Sequence, residues 1–156
     1  MPRSSKVVRD LLLLIGLPFL LMIGLLIRSS RQVTGQAPKS GDLFAAMAGR
    51  WSAEADSASC ASAWQEIAFD PARTRMTITT ASGRRDAYLI QEREPDRLIT
   101  LLVGDSTLGD DGAQAVWILI ATSDTSYVWR RRDWFAGHVS EPAYRCPAGS
   151  STIIRR

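Results

Sequence analysis

The chain has 156 residues, of which 46% are apolar and 22% charged, with a formal net charge of +3. That length accommodates one hydrophobic core plus an appendage but not two independent cores, and the composition excludes wholesale disorder. The small positive excess lies partly beside one apolar run and partly at 130–132, which excludes the broad basic face that nucleic-acid binding requires.

After a short basic flank, residues 1–10, the run from Leu11 to Ile27 carries no charge over 17 residues. As a helix rising about 1.5 Å per residue it covers roughly 25 Å, near the short limit of a bilayer span. Arg9 and Arg28 bracket it, and their long stems reach the headgroups while the apolar run stays in hydrocarbon. A cleaved secretory signal has an apolar region of about 7–15 residues followed by a small-x-small site. Here Arg28-Ser29-Ser30-Arg31 follows directly, which disfavours processing and acts as a stop. The expectation is a single transmembrane helix at 11–27, mildly kinked at Pro18. Arg3, Lys6, Arg9 and the α-amine, less Asp10, precede it, and Arg28, Arg31 and Lys39 follow. The bias toward a cytoplasmic N-terminus is slight. Residues 28–42 are small and polar with Gly and Pro, the composition of a flexible stalk.

Asp42 followed by Leu43-Phe-Ala-Ala-Met-Ala48 reads as one or two capped helical turns stopped by Gly49. From there the period changes. Short strand-like runs recur at 50–55, 63–69, 74–80, 85–92, 97–103, 115–121, 127–132 and 143–146, with turn signals such as Asp70-Pro71, Ser82-Gly83 and Glu94-Pro95-Asp96 between them. Ile67 and Phe69, Met76 and Ile78, and Tyr88 and Ile90 alternate onto one face. The expected fold of residues 43–147 is therefore all-β, an antiparallel meander of about eight short strands closed into a barrel or folded as a sandwich. Residues 148–156 form a C-terminal tail.

Gly49-Arg50-Trp51, entering the first strand directly after a short helix, resembles the Gly-x-Trp signature of lipocalins. Ala121-Thr-Ser-Asp124-Thr-Ser-Tyr127-Val-Trp129 is similar to that family's Thr-Asp-x-x-Tyr turn and following strand, across a likeness that spans 43–146. The resemblance implies a lipocalin-like barrel, Gly49, Trp51, Asp124 and Tyr127 as signature positions, and Arg132 near the family's arginine that packs over the first-strand tryptophan. It also implies a lumen for a small apolar ligand or lipid. Without the resemblance, Trp51 is a core aromatic of a β-sandwich.

Cys60 and Cys146 are the only cysteines and flank the β region. With one histidine, His138, they fall one ligand short of a four-ligand zinc site. A disulfide between them would close a long loop and suit an oxidising compartment; the alternative is two buried thiols. The pair and the charge bias together place the expected β domain on the periplasmic side of an inner membrane.

No phosphate loop, His-Glu-x-x-His, Cys-x-x-Cys or Gly-x-Ser-x-Gly occurs, so no motif supports an enzyme, and no cofactor is expected. Asp105, Asp110 and Asp111 lack the oxygen spacing of a calcium loop and read as solvated. Arg130, Arg131 and Arg132 beside Trp129 and Trp134 form the most conspicuous contact candidate, suited to acidic protein patches or anionic headgroups. Against that stands the period of a strand, which lets only some of three consecutive residues share a face. The runs 98–103 and 115–121 are apolar on both faces and need a cover, either the helix at 43–48, the tail, the membrane surface or another protein. The reading that results is a membrane-anchored, non-catalytic accessory module that meets another membrane protein, with a lipocalin-like carrier as the alternative.

Overall fold

A computed structural model of the protein describes residues 33–147. The expected anchor at 11–27, its flank and the tail 148–156 lie outside the described residues. Among the described residues no helix is long and apolar enough to cross a membrane.

Eight strands, β1 (Gly49–Ser52), β2 (Trp64–Phe69), β3 (Arg75–Thr80), β4 (Arg85–Arg93), β5 (Arg97–Leu102), β6 (Val116–Ser123), β7 (Ser126–Arg131) and β8 (Ala143–Arg145), pair antiparallel in chain order. β1 and β8 pair in turn, so the meander closes into a barrel rather than a sandwich. Alternation places Trp51, Ile67, Met76, Ile78, Leu98, Leu119 and Tyr127 in one core, with Tyr88, Ile90 and Trp129 packed against it. Across β5 and β6, Leu98 faces Leu119 and both are fully buried. Each such side chain contributes about 1.5–3 kcal/mol relative to exposure.

Helix α1 (Leu43–Met47) forms because the Asp42 carboxylate accepts hydrogen bonds from the Phe44 and Ala45 amides. It ends where Ala48 becomes extended and Gly49 takes φ 118°, a left-handed value open to glycine. Leu43, Phe44 and Met47 join the core, and Phe44 packs edge-on to Phe69 at 4.9 Å. α1 thus plugs the end of the barrel that carries the β2–β3, β4–β5 and β6–β7 turns, here the helix end. The opposite, loop end carries 103–115 and 132–142.

A second helix, α2 (Ser57–Ser62), is not legible in the sequence, since Ser-Ala-Ser-Cys-Ala-Ser has no apolar period. Asp56 caps it by accepting from the Ser59 amide at 2.7 Å, and Cys60 is its one buried residue. The first strand consequently stops at Ser52, short of the expected 55. Cys60 and Cys146 form the expected disulfide, with Cα atoms 5.6 Å apart across a sequence separation of 86.

The outer face of β5 and β6 is not bare. Ile99 and Ile120 point away from the core yet are only 6% and 3% exposed. Neither α1 nor a foreign surface covers Ile120; the downstream part of the expected stalk does. The Gln36 amide donates to the Ala121 carbonyl at 2.7 Å, the Lys39 amide donates to the Asp124 carboxylate at 2.9 Å, and Pro38 is buried. Gly35 sits so close to the Asp96 carboxylate and Ile120 Cγ2 that a Cβ would collide with both. Residues 33–40 form a strap along β6 toward the helix end.

Candidate functional site

Trp51 anchors the helix end. Its indole Nε1 donates to the Met47 carbonyl at 2.9 Å, and its ring meets Tyr127 edge-on at 4.9 Å. The arginine over it is Arg145, not Arg132, with the guanidinium 4.5 Å from the ring. Arg145 stands directly opposite Trp51 in the β1–β8 ladder and donates to the Ala48 carbonyl at 3.1 Å and to the Ala46 carbonyl. Its pKa is lowered by burial. A Cβ on Gly49 would come within 3.2 Å of Arg145 Nη1, so this glycine serves both the turn and the close approach. Arg132 cannot take this place because it follows β7 at the loop end.

The other signature positions are structural as well. Asp124 holds the strap through the Lys39 amide. Tyr127 is fully buried, its hydroxyl bonded to Gln65 Nε2, and burial drives its pKa upward.

From Tyr127 a column of rings runs through the lumen to the loop end. Tyr127 meets Trp129 at 6.4 Å, Trp129 stacks on Tyr88 at 5.3 Å and meets Trp117 at 6.4 Å, and Trp117 meets Trp134 at 6.1 Å. His138 then packs on Trp134 at 4.6 Å and on Phe135 at 4.8 Å. Burial, followed by the nearby Asp86 charge, pushes the Tyr88 phenol up to about 12. Asp105 accepts from the Thr107 amide at 2.9 Å and from Trp117 Nε1 at 3.4 Å, and its pKa is lowered, first by Thr107.

The three consecutive arginines do not share a face. Arg130 lies in the outward row opposite Ile118 and donates to the Trp134 carbonyl at 2.9 Å, while its Nε is buried without a partner. Arg131 pairs with Asp133, donates to the Leu108 carbonyl at 3.1 Å and stands 5.9 Å from the Trp117 ring. Arg132 alone of the three is exposed, lining a cleft of about 370 Å³ with Asp110, Asp111 and Asp133. Trp129 and Trp134 belong to the ring column rather than to a free patch. What the sequence hid is where large apolar groups emerge: Phe135 is 74% exposed, Leu108 60% and Val103 54%, all at the loop end. The Arg131 bond to the Leu108 carbonyl ties the end of β7 to the loop that carries Val103 and Leu108. Among the described residues no three His, Cys, Asp or Glu side chains gather as a metal site.

No protein-family model matches the chain, and no curated protein matches it. Among solved structures, pallilysin of Treponema pallidum is similar at a TM-score of 0.38 and 16% identity, covering 83% of this chain and 98% of that one. No function is read from a likeness at this level.

Proposed function

We propose that this chain is a membrane-anchored, non-catalytic binding module, held by 11–27 in the inner membrane with its lipocalin-like barrel on the periplasmic side. In this reading it is an accessory or assembly subunit that contacts another membrane protein. The anchor rests on 17 uncharged residues bracketed by arginines. The lipocalin-like reading draws support from the placement of Gly49, Trp51 and Arg145 at the plugged end. Tethering raises local concentration, so a modest interface suffices.

The observation that carries the binding reading is the exposure of Val103, Leu108 and Phe135 on the two loops of one barrel end, above a core that takes in the protein's own rings. Exposed apolar groups rimmed by charge suit protein contact, and a filled lumen offers little room for cargo. The contact surface is then the loop end rather than the outer face of β5 and β6, and Arg132 at its rim sets on-rate more than affinity.

The test is affinity capture of the full chain from detergent-solubilised membranes, with mass spectrometry of bound proteins and lipids. Leu108→Ser with Phe135→Ser should weaken capture of the native partner about tenfold or more while far-UV circular dichroism stays unchanged. Equal capture by the double variant sinks the reading. A stoichiometric apolar molecule extracted from the native protein would establish the carrier instead.

A further inference from the structure

At the helix end, Gly41, Asp42, Phe44, Arg73, Arg93 and Glu94 line a cleft of about 400 Å³. Two guanidinium groups converge there on one ring, Arg73 at 4.9 Å and Arg93 at 5.7 Å from the centre of Phe44. Like charges brought to one ring need compensating anions. Arg73 has one: its Nη2 lies 2.9 Å from the Asp42 carboxylate. The second carboxylate of the cleft, Glu94, is taken by Arg97 at 3.2 Å. Among the described residues, Arg93 is left with no carboxylate in reach.

The backbone aims Arg93 there by a specific device. The β4–β5 register shifts between Ile90 and Glu92, so Ile90 pairs with Thr100 but Arg93 pairs with Leu98, a core residue. Without this bulge the alternation from Tyr88 and Ile90 would turn Glu92 toward Phe44 and send Arg93 outward. Arg73 is held at φ 57°, a left-handed value that a side chain adopts only under constraint. Two separate backbone irregularities thus deliver guanidinium groups to the same cleft.

We propose that this cleft binds the phosphate group of a ligand, with Arg93 as the principal fork and Arg73 as the second. A planar guanidinium matches two phosphate oxygens, and the ring beneath lowers its need for water. The candidate source is a phospholipid headgroup, which rests on the membrane-anchor reading; free phosphate presents the same chemistry.

The experiment uses the full chain, with amide hydrogen exchange over 72–75 and 92–95 as the readout. One arm compares protein in phosphate-free detergent with protein in nanodiscs containing phosphatidylglycerol; the other adds millimolar inorganic phosphate to protein in the same detergent. Exchange should slow about threefold in the phosphatidylglycerol discs, be unslowed in Arg93→Gln, and slow as in the native chain for Arg85→Gln, an exposed arginine at the loop end. Slowing by inorganic phosphate with no further slowing in the discs assigns the site to free phosphate. No slowing in either arm, or equal slowing in Arg93→Gln, overturns the proposal. Carbonate extraction of vesicles carrying the chain reports on the anchor separately, so its failure leaves the inorganic-phosphate arm decisive.

Discussion

From β2 to β7 each strand meets its neighbour along most of its length, whereas β8 meets β1 only at Trp51–Arg145 and Ser52–Tyr144, and β7 only at Ser126–Tyr144 and Tyr127–Ala143. The long wall is held by ladder bonds and paired apolar side chains such as Leu98 and Leu119. The seam has too few of either, and other chemistry closes it. Cys60 and Cys146 tie α2 to the residue following β8, and Arg145 crosses from β8 to the carbonyls at the end of α1. The Ser140 amide donates to the Trp129 carbonyl at 2.8 Å, the Arg145 amide to the Thr125 carbonyl at 2.9 Å and the Cys146 amide to the Arg50 carbonyl at 2.9 Å, which extends the short ladders. A covalent bond and a guanidinium thus reinforce the short ladders where the closing strand is only three residues long.

The sharpest way to break this contrast is to remove the covalent closure. Cys60→Ala with Cys146→Ala should cost about 3–5 kcal/mol in the chain-entropy account of a loop this long, read as a lower denaturant midpoint. Hydrogen exchange should then rise first in β1 and β8, while β3 to β6 stay protected. Uniform loosening of all eight strands would mean that seam and wall are one cooperative unit.

A smaller effect separates the two arginines. Arg145→Met keeps an apolar stem over Trp51 but leaves the Ala46 and Ala48 carbonyls unpaired, and should cost about 1–3 kcal/mol by thermal or urea unfolding. Arg132→Met, at an exposed position, should change stability by less than about 0.5 kcal/mol. Equal losses from the two would erase the special role assigned to the seam.

The smallest effect is a pH dependence in the wall. The folded protein holds Tyr88 neutral to about 12, above its ordinary value of 10.0. Between those values the unfolded chain gives up a proton that the folded chain keeps, so stability falls as pH rises. Denaturant midpoints measured between pH 9 and 12 should therefore decline less steeply in Tyr88→Phe than in the native protein; identical slopes would show that this phenol does not contribute.

The site itself was only partly legible. Gly49, Trp51 and Tyr127 were readable because a glycine before an aromatic at a strand start and a turn before a tyrosine are local patterns, and each occupies a structural position at the helix end. Arg145 was not, because its partner lies almost a hundred residues away in a strand whose neighbour exists only once the barrel closes. The arginine run looked like one cluster in sequence, but strand alternation and the turn after β7 send its members to an outer row, a salt bridge and a solvent-exposed cleft.

Alternation, turn residues and the Asp42 cap were enough to point to about eight short strands after one or two helical turns in residues 43–147, and two cysteines at opposite ends of that region favoured a disulfide over two buried thiols. These are local or unique features, set by steric preference and by the lack of any other partner. Tertiary structure alone decided the barrel over the sandwich, the strap over Ile120, the helix at Ser57–Ser62 and the bulge that turns Arg93 to Phe44. Each depends on which strands become neighbours and in what register, and a one-residue shift in register exchanges the two faces of a strand without changing a letter of its sequence.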